Sequence, residues 1–326
     1  MTAEITIEQA LDTIASSSSH GSTKVTETAL NGLASFARRS REVEARRLAE
    51  ELTRYGDQFI RLRPTSILLV HAVKSLIRVV RDRVEQGQDV EGVRHAILEQ
   101  KDVLLRSIRS SIEQISSIGS RRISDGESIM IHGYSSTALG IIKRAAQEGK
   151  RLRIFSTETR PEFEGRLAAI ELSGLGIDTT IITDSSSRYY MKDVDKFLVG
   201  AEAVAANGAV INKIGTSLIA LAAHEARVRV FVAAATSKFS SETVLGELVA
   251  IEERDRFQLL SPSEYEKLGR PRIRNPAYDV TSPEHVDLII TEKGVIPPQG
   301  AIMILRESFG WPISGVEDRP LVGVQR

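Results

Sequence analysis

Between Lys196 and Thr216 an acid, an amide, a lysine and a glycine-led helix start fall within one short stretch, KFLVGAEAVAANGAVINKIGT. The apolar run Phe197-Leu198-Val199 meets Gly200 and a lone carboxylate, Glu202. A turn at Asn207-Gly208 leads into Ala209-Val210-Ile211, which ends in Asn212-Lys213, and Gly215-Thr216 opens a helical pattern running to Ala226. In open α/β sheets ligands sit in the crevice beyond the carboxyl ends of the strands. A helix N-terminus placed there favours an anion, so this set of groups suits an oxygen-rich one such as a phosphate. The competing reading is an ordinary β-turn-β-turn-α connection with solvated polar tips, and spacing alone weighs the two equally.

The other apolar runs of strand length end in the same character. His132-Gly133-Tyr134-Ser135-Ser136 follows the first, Thr157-Glu158-Thr159-Arg160-Pro161 the second and Asp184 to Arg188 the third; Ala235-Thr236-Ser237-Lys238 closes the fifth. Lysines, arginines and hydroxyls on one rim would hold phosphate through fixed charges. Against this, Arg160 and Arg188 could simply pair with neighbouring carboxylates; the agreement of five strand ends favours a site. His132 is a lone histidine with no second histidine at metal-ligand spacing, so neither a metal nor a cofactor is implied. No Gly-x-Gly-x-x-Gly, phosphate-binding Gly-x-x-x-x-Gly-Lys or Gly-x-Ser-x-Gly element occurs.

The elements that must position these groups fall into two parts. Residues 1–120 carry helical spacing: Ile5–Ile14, a segment from Ser22 or Thr23 as N-cap through Val25, Leu30, Leu33 and Phe36, then Glu42–Tyr55, Ser66–Glu85 and Val90–Ile118. The last of these should bury Val93, Ile97, Val103, Leu104, Ile108, Ile112 and Ile115. Over 121–313 short apolar runs (Ser128–His132, Leu152–Ser156, Thr179–Thr183, Phe197–Val199, Val228–Ala233, Val286–Thr291) alternate with helical stretches. That alternation predicts an α/β fold, a doubly wound, mostly parallel Rossmann-like sheet. Residues 314–326 read as a loose tail.

Composition narrows the class. The chain has 326 residues, no cysteine, and 43 basic against 43 acidic side chains, for a formal net charge of zero. Cysteine nucleophiles, thiolate metal sites and disulfides are excluded outright, and no basic footprint argues for nucleic acid. The N-terminus lacks a signal-peptide pattern and no apolar run nears the roughly 18–20 residues of a membrane span, so a cytoplasmic protein is expected.

The segments MIHGYSS, TETRPEFEG, SRYYM, VGAEAVAANGAVINKIGT, AATSKF and NPAYDVTSPEHVDLIITEKGVI together resemble one superfamily. It comprises the alpha, beta and delta subunits of translation initiation factor 2B, methylthioribose-1-phosphate isomerase and archaeal ribose-1,5-bisphosphate isomerase, and the likeness is greatest to the last. The resemblance spans nearly the whole chain. It implies a helical N-terminal domain before a Rossmann-like one, a phosphorylated sugar or nucleotide as ligand, and assembly as a dimer or a hexamer built from dimers, with related subunits as further partners.

The resemblance also implies site residues: Arg63, Ser135, Arg160, Asn212, Lys213 and Lys238 match substrate-binding positions, and Gly21 and Lys24 lie in another binding segment. In that segment His20 stands where the isomerases carry an arginine. The isomerases of the family place a cysteine after the strand-one histidine and an aspartate after the Gly-Ala of strand four; here those positions are Gly133 and Glu202. Glycine has no proton to give, and glutamate sets its carboxylate a methylene further out. General acid–base groups contribute roughly 10²–10⁴-fold and must lie within hydrogen-bond reach of their proton. The expectation is therefore a ligand-binding, regulatory protein resembling the initiation-factor alpha subunit. The alternative is a pentose-phosphate isomerase with Glu202 as base and His132 or Tyr134 as the acid, since histidine titrates near neutral pH.

Overall fold

The computed structural model describes residues 5–16, 21–246 and 248–309. The chain divides into two compact units, Met1–Gln114 and Ile115–Arg326. His20 and the expected tail from Ser314 lie outside the described residues.

The first unit is helical: α1 (Ile7–Ala15), α2 (Ser22–Arg39), α3 (Ala45–Leu62), α4 (Ile67–Glu85) and most of α5 (Val90–Ser120). A capping box between Thr6 and Gln9 starts α1, satisfying two N–H groups that the helix leaves open. Helix α2 starts from Gly21, whose φ of 75° lies in the left-handed region, and no side chain caps it. Ser22 and Thr23 are thus the first helical residues rather than its N-caps. Leu30, Leu33, Leu48, Leu52, Phe59, Leu69 and Leu76, all fully buried, recur at helical spacing and form this unit's core. On α5 the buried side passes through Val93, Ile97, Leu105 and Ile115, whereas Val103 is 42% exposed. Ile97 and Leu105, eight apart, are offset by about 80° at 3.6 residues per turn, within one broad apolar stripe.

The second unit is built on a seven-stranded sheet in the order β10-β9-β7-β4-β1-β2-β3. Its strands are β1 (Ser128–Ile131), β2 (Arg153–Thr157), β3 (Asp178–Ile182), β4 (Lys196–Gly200), β7 (Arg229–Ala233), β9 (Leu288–Thr291) and β10 (Gly294–Ile296). Every pairing is parallel except β9 with β10. Side chains alternate across it, as period-two geometry requires. Met130, Phe197, Val199, Val230, Val232 and Ile289 enter one core; Ile129, Ile131, Leu198, Phe231 and Ile290 enter the other. Helices α6 (Ser136–Gln147), α7 (Glu164–Gly174), α8 (Ser187–Tyr190), α9 (Thr216–Ala226), α10 (Pro262–Lys267) and α11 (Ala301–Phe309) complete the unit.

The second apolar run of the Lys196–Thr216 stretch lies outside the main sheet. It forms β6 (Val210–Lys213), the middle of a separate three-stranded sheet with β5 (Ala203–Val204) and β8 (Tyr278–Thr281). Both pairings are antiparallel, with Asn212 opposite Asp279 and Lys213 opposite Tyr278. The Asn207-Gly208 turn, with Gly208 at φ 86°, fits the tight reversal a hairpin needs. Strand β6 therefore runs back antiparallel to β5, outside the main sheet.

Candidate functional site

Strand order reverses between β1 and β4, whose neighbours run outward in opposite directions. Their carboxyl ends flank the switch point, where an open α/β sheet leaves a crevice. From β1 come His132, Gly133 and Ser135; from β4 come Gly200, Ala201 and Glu202. The hydroxyl of Ser135 accepts from Ala138 N at 3.3 Å and so caps α6. A Cβ on Gly200 would stand 2.3 Å from Ser135 Oγ, so glycine is what lets β4 and that cap approach.

His132 is buried, and both ring nitrogens are engaged within the protein. Nε2 lies 2.8 Å from the Ile214 carbonyl and therefore carries the proton; Nδ1, 2.7 Å from Thr157 Oγ1, then accepts from that hydroxyl. Burial holds the pKa of the imidazole down, against the opposing pull of the Ile214 carbonyl and Asp184. Gly215, at φ 102°, approaches so closely that a Cβ there would meet the ring at 3.0 Å. Tyr134 turns away: its hydroxyl donates to Glu171 at 2.5 Å, and burial together with that carboxylate pushes its pKa up to about 12. Neither residue is arranged as the acid of the alternative reading.

The loop after β2 is held by a second shell of bonds. Thr159 sits at φ 61°, costly for a β-branched residue. Its N–H and that of Arg160 donate to the two oxygens of Asp184 at 2.8 and 2.7 Å, while Gly133 N donates to its hydroxyl at 2.9 Å. The Arg160 guanidinium stacks 5.0 Å from the Phe163 ring. Arg188 pairs outward with Glu225 at 2.9 Å, so for this arginine the surface ion-pair reading holds.

Lys213 ends β6 inside a buried charge cluster. Its ammonium pairs with Glu162 at 2.5 Å and with Glu164 at 3.3 Å. Arg254 reaches Glu162 at 3.5 Å and Glu252 at 3.1 Å, and Gln258 adds an amide contact to Glu162 at 3.4 Å. Burial works against the Lys213 charge, but Glu164 and Glu162 outweigh it and push its pKa up. Residues 252–254 lie beside 275–277 through Arg254 N to Asn275 O (2.8 Å) and Ala277 N to Glu252 O (3.0 Å). That short ladder carries Arg254 into the cluster.

Across the crevice Glu202, 8% exposed, neighbours Lys238, 5% exposed. Lys238 donates to Ala201 O at 2.6 Å; burial lowers its pKa and the Glu202 charge opposes that. Asn212 donates to Thr216 Oγ1 at 3.0 Å.

Of the residues singled out in the sequence, His132, Gly133, Ser135, Arg160, Glu202, Asn212, Lys213 and Lys238 lie in the second unit. Gly21, Lys24 and Arg63 belong to the first. There Lys24 is exposed beside Glu27 at 3.8 Å, while Arg63 is buried and donates to Ile14 O at 2.8 Å. The anion expected at the N-terminus of α9 meets a different occupant, because Asp279 already accepts from Gly215 N and Ser217 N. Glu162, Glu164, Arg254 and Asp279 are not singled out by the sequence as site residues, and Asp184 reads there only as the start of the polar segment after the third run. The two acids flanking Phe163 directly after a strand end were the available signal; Arg254 gave none beyond a charged run.

A polar crevice at the switch point of a mostly parallel sheet, in a chain whose first unit is all helical, defines a class of α/β proteins. Residues 18–298 match the model of the Initiation factor 2 subunit family, and the chain belongs to that family. It is 39% identical over 298 residues to ribose 1,5-bisphosphate isomerase of Thermococcus kodakarensis, covering 91% of this chain and 92% of that one. To the protein of the same name from Pyrococcus furiosus it is 42% identical over 276 residues, covering 84% and 85%. Among solved structures, translation initiation factor eIF-2B of Pyrococcus horikoshii OT3 superposes with a TM-score of 0.77 at 28% identity, covering 91% of this chain and 98% of that one.

Proposed function

We propose that this protein is an aldose–ketose isomerase acting on a phosphorylated pentose, with a ribose bisphosphate as the substrate class. The observation that carries it is the buried carboxylate of Glu202 at the switch point, beside the buried ammonium of Lys238. Relatives at 39% and 42% identity named ribose 1,5-bisphosphate isomerase support the same substrate class. Ser135, Arg160, Asn212, Lys213 and Lys238 are the groups offered to phosphate and hydroxyl oxygens.

The chemistry is an isomerisation with no net gain or loss of atoms. The ring oxygen leaves C1 carrying a proton; a base removes the C2 proton, giving an enol. Loss of the enol O–H proton to the group that protonated the ring oxygen, and return of the C2-derived proton from the base to C1, complete the ketose phosphate. Glu202 is the base for the carbon-bound proton.

A second reading, a sugar-phosphate or nucleotide sensor without turnover, is favoured by Gly133 and by the engagement of both His132 nitrogens. Phosphorus NMR of the protein with ribose 1,5-bisphosphate separates them. Appearance of ribulose 1,5-bisphosphate, reduced about 10²–10⁴-fold in Glu202→Gln, supports the isomerase. Ligand line broadening without product supports the sensor.

A further inference from the structure

An aldose-to-ketose conversion needs two proton carriers, one at carbon and one at the departing ring oxygen, and Glu202 supplies only the first. The other titratable groups around the crevice have defined partners. His132 and Tyr134 are engaged as described; Asp184 and Asp279 each hold two backbone N–H groups. Glu292 accepts from Thr236 N at 3.0 Å. Glu162 is shared between Lys213, Arg254 and Gln258.

Glu164 differs in place. It opens α7 and is 6% exposed. Its Oε2 lies 3.3 Å from Lys213 Nζ and 3.8 Å from where a Cβ of residue 133 would stand. Gly133 has no side chain, and this oxygen together with Lys213 Cβ and Cγ, at 3.5 and 3.8 Å, gives the nearest non-neighbouring atoms to where its Cβ would stand. A carboxylate thus stands within van der Waals reach of the Gly133 position directly after β1, next to the lysine offered to phosphate.

We propose that Glu164 is the second proton-transfer residue of this site, delivering the proton to the ring oxygen while Glu202 acts at carbon. The proposal rests on the isomerase reading. Before ligand arrives, Lys213 and the N-terminus of α7 keep Glu164 ionised. A phosphate dianion on Lys213 shares that cation and adds negative charge beside Glu164, which favours its protonated form. The charged and titratable groups around Glu164 and Lys213 include His132 and Asp184 from the ends of β1 and β3, Tyr278 from β8, Glu162 from the loop before α7, and Arg254. Glu162 is also held by Arg254, at 3.5 Å. Ligand binding therefore loads Glu164 with the proton that the ring oxygen takes.

The test is calorimetry of ribose 1,5-bisphosphate binding in two buffers of different ionisation enthalpy. It is run at a pH of about 8, where phosphate monoesters are already dianions. Wild-type protein and Glu162→Gln take up a proton per bound ligand, Glu164→Asp retains the uptake, and Glu164→Gln abolishes it. Uptake unchanged in Glu164→Gln, or ligand that fails to bind or binds to wild type without uptake, overturns the proposal. In the NMR assay Glu164→Gln lowers kcat about 10²–10⁴-fold. Wild-type protein that forms no product sinks the isomerase reading and this proposal together. Wild-type turnover that survives in Glu164→Gln within about threefold sinks this proposal alone.

Discussion

The carboxylate of Asp279, on β8, lies across the first turn of α9, accepting from Gly215 N at 2.8 Å and from Ser217 N at 3.2 Å. A residue sixty-odd positions downstream thereby does what an N-cap side chain does locally, satisfying N–H groups the helix cannot. Burial pushes its pKa up despite those bonds. Asp279→Ala is expected to cost about 1–2 kcal/mol, read as a fall in the urea midpoint, with Asp279→Asn recovering part of it. An unchanged midpoint would show that the cap carries no net stability.

Lys213 and the two acids it serves form a buried pair of contacts in which removing one partner is costlier than removing both. Lys213→Met leaves Glu164 buried beside an apolar chain and should destabilise by about 3–5 kcal/mol. Adding Glu164→Gln should restore a measurable part of that. A double-mutant cycle on thermal or urea unfolding gives the coupling; strictly additive losses would mean the two side chains do not interact energetically.

Stability should also depend on pH through His132. Its folded-state pKa lies below the ordinary 6.5, so below that pH the unfolded chain binds the extra proton first. The stabilisation is present above about pH 6.5 and drains away as pH falls, at up to about 1.4 kcal/mol per pH unit for one proton. Unfolding free energies between about pH 6.5 and 5 should slope in wild type and flatten in His132→Asn. Equal slopes would place the proton elsewhere.

Phe197, fully buried near the start of β4, tests the core beneath the site. Phe197→Ala should cost about 3–5 kcal/mol and, by loosening the strand that ends at Glu202, lower kcat as well as the melting temperature.

The inner part of the sheet was readable because strands such as β1 and β7 are short buried runs bounded by turn residues: Ser128–Ile131 and Arg229–Ala233 fall within two residues of their expected bounds. Helix α9 matched at both ends, since Gly215 and the left-handed Arg227 punctuate it. What the sequence hid depended on pairing at a distance. Nothing local to Val210–Lys213 tells that it pairs with Tyr278–Thr281 rather than joining the main sheet. The carboxylates that answer Lys213 and the α9 N-terminus lie 51 and 64 residues away from the groups they bond. His132 looked like a candidate acid because its hydrogen-bond partners, Thr157 and Ile214, are 25 and 82 positions distant. Residue type suggests what a side chain could do; only tertiary contacts decide whether its polar atoms are available.

The β6–β8 ladder sets a phase for the whole crevice. Asn212 faces Asp279 and Lys213 faces Tyr278, so one ladder fixes both the lysine among its acids and the aspartate on α9. A slip of one residue would send each side chain to the opposite face. Length is therefore elastic in one place and rigid in another. The exposed stretch around α10 should tolerate insertions and deletions, because it ends before the ladder begins. A single-residue insertion between Asn275 and Asp279 should uncouple Lys213 and α9 at once. Along this chain, then, tolerance to changes in length follows the strand register rather than distance from the site.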